Sequence, residues 1–365
     1  MKTVAVYGST GSIGVQTLNV VRRFPHEFRV VALAAGKNTA LLEKQAAEFC
    51  PDLVSSELPF DAPCKAFCGK DAALCLARET DADITVMAIS GVAALGPLCE
   101  CIKRGKRIAL ANKEAIVCAG ELVLGEAKRC GAEIIPVDSE HSAVFQCLSC
   151  GDARDVRRII LTASGGPFYF SRRDLSSVTP EEAVRHPTWN MGAKISIDSA
   201  TMVNKGLEII EAGRLFGTNN VDYVIHPESV IHSMVEFADG STAALMSYPD
   251  MELAIQYALT YPRRAVNAGV RAFDFARPLT FAAPDEDRFP APAVARRCLA
   301  EGGTAPAVYS LADEAAVRLF MKKLIRFTDI TGIIEEALCI NETVKVESVP
   351  QILELAASIE RHFGA

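Results

Sequence analysis

Two carboxylates two residues apart, Asp138 and Glu140, follow an apolar run in Pro136-Val-Asp-Ser-Glu-His141. On extended chain, residues two apart point the same way. Two converging carboxylates repel unless a cation sits between them. Oxygen ligation is the preference of Mg²⁺ or Mn²⁺ rather than zinc, and magnesium keeps positions open for substrate oxygens. The bland alternative is an exposed acidic turn. A second polar cluster runs from Lys194 to Glu208. In it, Asp198 or Ser199 is placed to cap a helix. Asn204 and Glu208 share one face of that helix, with Lys205 beside both. A helix start with Ser, Asn and Lys nearby suits a phosphate, and Glu208 is a third candidate metal ligand. The competing reading is a helix carrying surface ion pairs, each worth only about 0.3–0.5 kcal/mol.

Between these clusters, Ser164-Gly-Gly-Pro-Phe168 follows a strand-like run. Its glycines let backbone approach an anion closely. His186-Pro-Thr-Trp189-Asn-Met-Gly192 holds the single tryptophan of the chain, in a polar stretch rather than on an apolar face. A large aromatic there suggests a lid that keeps water from a bound ligand. His186 itself reads equally well as a helix-terminal or core histidine. Near the start, Gly8-Ser-Thr-Gly11-Ser-Ile-Gly14 follows an apolar run and opens a helix. Such a turn brings backbone N–H groups and a helix N-terminus to a pyrophosphate. The second strand ends in Ala35-Gly36-Lys37-Asn38. An NAD site usually has an acidic residue there for the ribose 2′-hydroxyl. A lysine instead favours the extra 2′-phosphate of NADP, while Asn38 is also a good helix cap.

These groups need a scaffold. Strand-like runs at 3–7, 29–35, 84–89 and 107–111 alternate with helical periodicity at 14–23, 39–49, 93–103 and 122–129, the pattern of a parallel sheet covered on both faces. The middle reads differently. Strands are expected at 133–137, 158–162, 223–225, 230–237 and 241–246, with a short strand-like run at 194–198 before a well-formed helix. A proline- and acid-rich stretch, 278–292, reads as a linker or arm. Beyond it, helical spacing at 294–301, 310–322, 331–338 and 348–363 predicts a small helical domain.

The chain has 365 residues, half of them hydrophobic, and a net charge of −7. That is ordinary globular composition for two or three domains. No basic stripe interleaved with aromatics speaks for nucleic acid. No run approaches a membrane span, and no leader segment precedes the first strand, so the expected location is the cytoplasm. Its 12 cysteines then read as reduced, mostly buried thiols. Cys147-Leu-Ser-Cys150 has redox spacing, but it stands alone at the expected end of a helix.

Taken together, several motifs resemble the 1-deoxy-D-xylulose 5-phosphate reductoisomerase family. They are Gly8–Gly14, Leu110-Ala-Asn-Lys-Glu114, Val137–Ser142, Ser164–Phe168, His186–Trp189, Lys194–Glu208, His226-Pro-Glu-Ser-Val-Ile-His232 and Asp285–Pro290. They stand in the family's order and span nearly the whole chain. The resemblance implies an α/β protein. Residues 1–130 would form a Rossmann-like NADPH-binding domain and 131–265 a central α+β catalytic and dimerisation domain with a flap. Residues 266–290 would form a linker arm, and 291–365 a C-terminal helical bundle.

It also implies a homodimer that takes a sugar phosphate and no nucleic acid or membrane. Thr10, Gly11, Ser12 and Ile13 would hold the NADPH pyrophosphate, and Gly36, Lys37 and Asn38 the adenosine phosphate end. Asn112, Glu114 and Gly192 would also touch NADPH. Asp138, Glu140 and Glu208 would bind Mg²⁺ or Mn²⁺. Ser164, Ser199, Asn204 and Lys205 would grip the substrate phosphate, with His186 near it on the flap. Lys113 and Ser139 would meet the reacting end. The implied reaction rearranges the carbon skeleton of 1-deoxy-D-xylulose 5-phosphate and then reduces the aldehyde to 2-C-methyl-D-erythritol 4-phosphate. Glu228, where the family more often has Gln, and Ser310–Glu314, in place of an Asn-rich helix start, depart from the pattern. Two rival readings are a simple NADP-dependent aldehyde dehydrogenase and a nucleotide-sensing regulator. Neither has use for three metal-binding carboxylates.

Overall fold

A computed structural model describes residues 1–186, 189, 192–266 and 273–364. The chain divides into two compact units. The first contains Met1–Ala115, Leu122–Ser142 and the segment that begins at Asp250. Its seven strands are β1 (Lys2–Tyr7), β2 (Phe28–Ala34), β3 (Leu53–Ser56), β4 (Lys65–Cys68), β5 (Ile84–Met87), β6 (Arg107–Leu110) and β7 (Glu133–Pro136). They form one parallel sheet in the order β4-β3-β2-β1-β5-β6-β7. Val4 to Tyr7 of the central strand are fully buried, as expected of a strand covered on both faces. Strand order reverses between β1 and β5, and the crevice outside the strand ends at such a switch point is where α/β sheets bind ligands. Helix Met251–Thr260 belongs to this unit. Its cap Asp250 accepts from the Glu252 N–H at 2.9 Å, and Glu252 pairs with Arg23 at 2.6 Å.

The second unit contains Ile116–Glu121, Ala143–Pro249 and the C-terminal helices. Its sheet comprises β8 (Val156–Ala163), β9 (Val221–Ile225), β10 (Ile231–Phe237) and β11 (Thr242–Met246), in the order β11-β10-β8-β9. Helices Ala193–Ala200 and Val203–Phe216 lie between β8 and β9 in the chain, and helices Ala291–Glu301, Ala305–Met321, Asp329–Ile340 and Val349–Phe363 follow. Helix Ala305–Met321 is the most enclosed of these, with Tyr309, Ala312 and Asp313 fully buried. Among the described residues, no helix is long and apolar enough to cross a membrane.

The fold is the expected α/β sheet followed by C-terminal helices, with local differences. The sheet does not end near residue 130, because β7 adds an edge strand to it. The helix expected at 122–129 begins at Lys113 and kinks at Ala119. The kink breaks the helical ladder, and Arg214 of the second unit takes the Ile116 and Val117 carbonyls at 3.0 and 2.7 Å. The run 194–198 is helix, not strand. Ile195 and Ile197 imitate a period of two, whereas the i,i+4 pair Lys194–Asp198 is the helical signal. Asp198 and Ser199 therefore lie inside that helix and cap nothing. The next helix starts from Met202, whose φ of 62° is left-handed. Glu140 is likewise not on extended chain, since helix Ser139–Cys147 has already begun there, with Asp138 immediately before it.

Candidate functional site

Both units carry candidate residues. In the first, the turn after β1 depends on two glycines. Gly8 has φ +85°, and a Cβ there would lie 2.4 Å from the Ala88 carbonyl oxygen. A Cβ on Gly14 would lie 2.2 Å from the Gly8 oxygen. Helix Ser12–Arg23 starts at Gly11 with no side-chain cap and no acidic residue in its first turn. Its N-terminal N–H groups thus face the strand ends with the positive pole of the helix, next to Thr10, Ser12 and Ile13. At the end of β2, the Gly36 oxygen accepts from the Ser56 hydroxyl at 2.7 Å. Asn38 caps helix Thr39–Phe49 through the Leu41 N–H at 3.2 Å, and Lys37 is exposed beside it.

After β6, Asn112 is buried and uses both ends of its amide. Its Oδ1 caps helix Lys113–Cys130 by accepting from Ala115 N–H at 2.6 Å, and its Nδ2 donates to the Ile89 and Gly91 carbonyls at 2.7 and 3.0 Å. Glu114 accepts from the same Nδ2 at 3.2 Å. Lys113, the first residue of that helix, places Nζ 2.8 Å from the Asp138 carboxylate. Burial pushes the Asp138 carboxyl upward. The Lys113 ammonium, together with a hydrogen bond and charge from His141, outweighs burial and holds it well below the usual carboxylate range. Asp138 therefore stays ionised. Its backbone carbonyl accepts from Ser142 N–H at 2.8 Å, which anchors it at the helix start. Ser139 donates to Glu140 in the first turn. His141, three residues after Asp138, is part of this group. Reasoning from motifs alone misses this residue, although its spacing from Asp138 is a helical one.

In the second unit, β8 leads into Ser164, Gly165 and Gly166, both glycines at positive φ. A Cβ on Gly166 would come within 3.0 Å of the Ser199 carbonyl oxygen, so the turn lies against the end of helix Ala193–Ala200. The Ser164 hydroxyl lies 3.0 Å from His186 Nε2 and also accepts from Gly166 N–H at 3.2 Å. His186 Nδ1 accepts from the Trp189 N–H at 2.9 Å. The proton of a neutral ring is therefore on Nε2, and it is donated to Ser164. Burial lowers the His186 pKa, which favours that neutral ring. Trp189 lies 6.4 Å, centroid to centroid, from His232. The rest of the expected flap, Pro187, Thr188, Asn190 and Met191, lies outside the described residues. Gly192 precedes the first residue of helix Ala193–Ala200.

Lys205 and Glu208 form an ion pair at 3 % and 2 % exposure. That excludes the surface-pair reading. Lys205 also donates to the Thr162 carbonyl at 2.5 Å, and Asn204 donates to Glu208. Ser164, Ser199, Asn204 and Lys205 thus stand on one strand end and two helices of the same unit. A buried cation and several hydroxyl and amide groups so placed suit a phosphate. The candidate donors Asp138, Glu140 and Glu208 are all carboxylates. Ionised oxygen ligands without a thiolate or imidazole match a hard divalent cation.

Comparison with known proteins agrees with this chemistry. Residues 4–120 match the family model described as 1-deoxy-D-xylulose 5-phosphate reductoisomerase, and residues 134–216 and 246–362 match two models of C-terminal domains of the same enzyme. The reductoisomerase of Caldanaerobacter subterraneus subsp. tengcongensis is 46 % identical over 369 residues, covering 97 % of this chain and 96 % of the relative. That of Anaeromyxobacter dehalogenans is 47 % identical over 367 residues, covering 97 % and 94 %. The Zymomonas mobilis enzyme, solved in complex with NADPH, superposes with a TM-score of 0.91 at 39 % identity, covering 99 % and 98 % of the two chains. A reductoisomerase solved with NADPH, fosmidomycin and magnesium gives 0.91 at 35 % identity, covering 100 % and 98 %.

Proposed function

This chain belongs to the 1-deoxy-D-xylulose 5-phosphate reductoisomerase family, and on that premise we propose how its residues perform the family's reaction. The enzyme is an NADP-dependent oxidoreductase. It converts 1-deoxy-D-xylulose 5-phosphate to 2-C-methyl-D-erythritol 4-phosphate with NADPH and a divalent metal, in isoprenoid precursor synthesis. The observation that carries the assignment of chemistry to this chain is the ion pair of Lys113 with Asp138, 2.8 Å apart at the start of helix Ser139–Cys147.

Asp138, Glu140 and Glu208 would hold Mg²⁺ or Mn²⁺. When bound, the metal supplies Lewis acidity for the skeletal rearrangement and NADPH supplies the hydride. The other roles fall to the chain. Thr10, Gly11, Ser12 and Ile13 bind the cofactor pyrophosphate at an uncapped helix start. Gly36, Lys37 and Asn38 bind its adenosine phosphate end. Asn112, whose amide is spent on the backbone, positions this edge of the cofactor site more than it reads the ligand, while Glu114 and Gly192 complete that site. Ser164, Ser199, Asn204 and Lys205 grip the substrate phosphate. Because His186 donates to the Ser164 oxygen, the Ser164 proton is left to point at a phosphate oxygen. Lys113 and Ser139 meet the reacting oxygens, where an ammonium stabilises developing negative charge. Trp189 excludes water from a reactive aldehyde.

We further place the enzyme in the cytoplasm and, in keeping with its family, as a homodimer. The test is NADPH absorbance with purified protein and 1-deoxy-D-xylulose 5-phosphate, with Mg²⁺ or Mn²⁺ and then with EDTA. Oxidation is expected only with substrate and metal together. Well-folded, NADPH-binding protein that oxidises nothing would return the function to the dehydrogenase or sensor readings. Trp189→Ala should lower turnover far more than NADPH affinity, and unchanged steady-state kinetics would remove its lid role.

A further inference from the structure

Helix Ala305–Met321 bears two buried polar side chains one turn apart, Tyr309 and Asp313, both fully enclosed. They reach the two helices that flank the left-handed residue Met202. Asp313 accepts from Lys194 Nζ at 2.6 Å, and the same ammonium bonds Asp198 at 2.5 Å. This holds helix Ala193–Ala200, with Ser199 next to the bonded Asp198. The Tyr309 hydroxyl lies 3.4 Å from the Val203 carbonyl and 3.2 Å from that of Ala291. A Cβ on Gly206 would fall 2.1 Å from that hydroxyl. Only glycine there lets Tyr309 rest against the first turn of helix Val203–Phe216, beside Asn204 and Lys205.

The junction between the two helices is the buried pair Thr201-Met202, with Met202 at φ 62°. A non-glycine residue persists in that conformation only where its surroundings over-determine it. We infer that Tyr309 and Asp313 are positioning residues which set the angle between the two helices and so hold Ser199 at phosphate distance from Asn204 and Lys205. The inference rests on the phosphate-binding reading of those three residues.

The full-length enzyme with NADPH and Mg²⁺ tests this through Asp313→Ala, Asp313→Asn and Tyr309→Phe. The measurements are KM for the sugar phosphate, inhibition by inorganic phosphate, NADPH affinity and melting temperature. Misplacement by about 1 Å can cost on the order of a hundredfold in rate. A smaller shift in Asp313→Ala should raise KM and weaken phosphate inhibition together by roughly tenfold. NADPH affinity should stay the same. Asp313→Asn, which can still accept from Lys194, should recover most of the loss. Should Asp313→Ala fail to fold, Tyr309→Phe removes one hydroxyl only and should show the same split at lower amplitude. Phosphate inhibition unchanged in the folded variants would overturn the inference, as would a loss shared equally by NADPH and substrate. Ser199→Ala separates the two levels. If it leaves KM unchanged, the phosphate reading itself fails and takes the inference with it. If it raises KM while the Asp313 and Tyr309 variants do not, only the positioning role fails.

Discussion

Glu208 shows how one side chain serves two states. In the chain alone it is buried against Lys205 and Asn204; in the working enzyme it is proposed as a metal ligand. Glu208→Gln keeps the shape and removes the charge, so turnover should fall by two or more orders of magnitude, on the order of what one transition-state electrostatic contact supplies. NADPH affinity, followed by fluorescence, should hardly change, and its loss would count against the metal assignment. His186 yields a pH prediction. Burial lowers its folded-state pKa below the unfolded value of about 6.5. As pH falls through 6.5 the unfolded chain takes the proton first, so stability is lost on the acid side and is fully present above it. Melting temperatures between about pH 7.5 and 5 should fall less steeply for His186→Asn than for the parent. Parallel curves would show that the ring carries no such linkage. The identity of these residues is legible in the amino-acid sequence. The tautomer of His186 is not, because it depends on the Trp189 N–H, a contact made through the fold of a loop.

Elements decide whether those side chains meet. The glycine turn after β1 and the helix it opens are plain in the sequence because Gly, strand and helix signals coincide within a few residues. Gly14→Ala should disturb this turn, since its Cβ would press on the Gly8 oxygen. The expected result is an overpacking cost of about 1–3 kcal/mol and weaker NADPH binding, read by thermal melting with and without cofactor. Unchanged affinity would mean that the turn relaxes without altering the pyrophosphate site. The buried pair on helix Val203–Phe216 offers a second measurement. Lys205→Met removes the ammonium from a buried carboxylate, a change that costs about 3–5 kcal/mol in comparable sites and should be visible in chemical denaturation. Helix Ala193–Ala200 reads as a strand in sequence because alternating isoleucines outweigh its one i,i+4 pair. The helical state wins once the Lys194 ammonium finds both Asp198 and the distant Asp313.

At the scale of the whole molecule, each compact unit collects residues from distant parts of the chain. Helix Met251–Thr260 joins the first sheet's unit, and the C-terminal helices join the second sheet's. No local pattern reports this, because an amphipathic helix declares that it has an apolar face but not what will cover it. Light scattering should give about twice the 39.2 kDa chain mass, the proposed homodimer. A fully active monomer at assay concentration would exclude it.

The sequence by itself determined which residues are proposed to carry the chemistry: the glycine turn, Lys37 in place of an acid, three carboxylates, and the Ser-Asn-Lys cluster. These are legible because short-range spacing carries them, and because long motifs in order are specific to one family. Tertiary structure alone decided what holds that set in place. Lys113 pairs with Asp138, Arg214 closes the kink at Ala119, and Tyr309 with Asp313 brackets the turn at Met202. Each of these joins residues from 25 to 119 positions apart. The reason is physical: burial makes a partner obligatory for a polar group, and which partner comes within reach is settled by packing, not by neighbourhood in the chain.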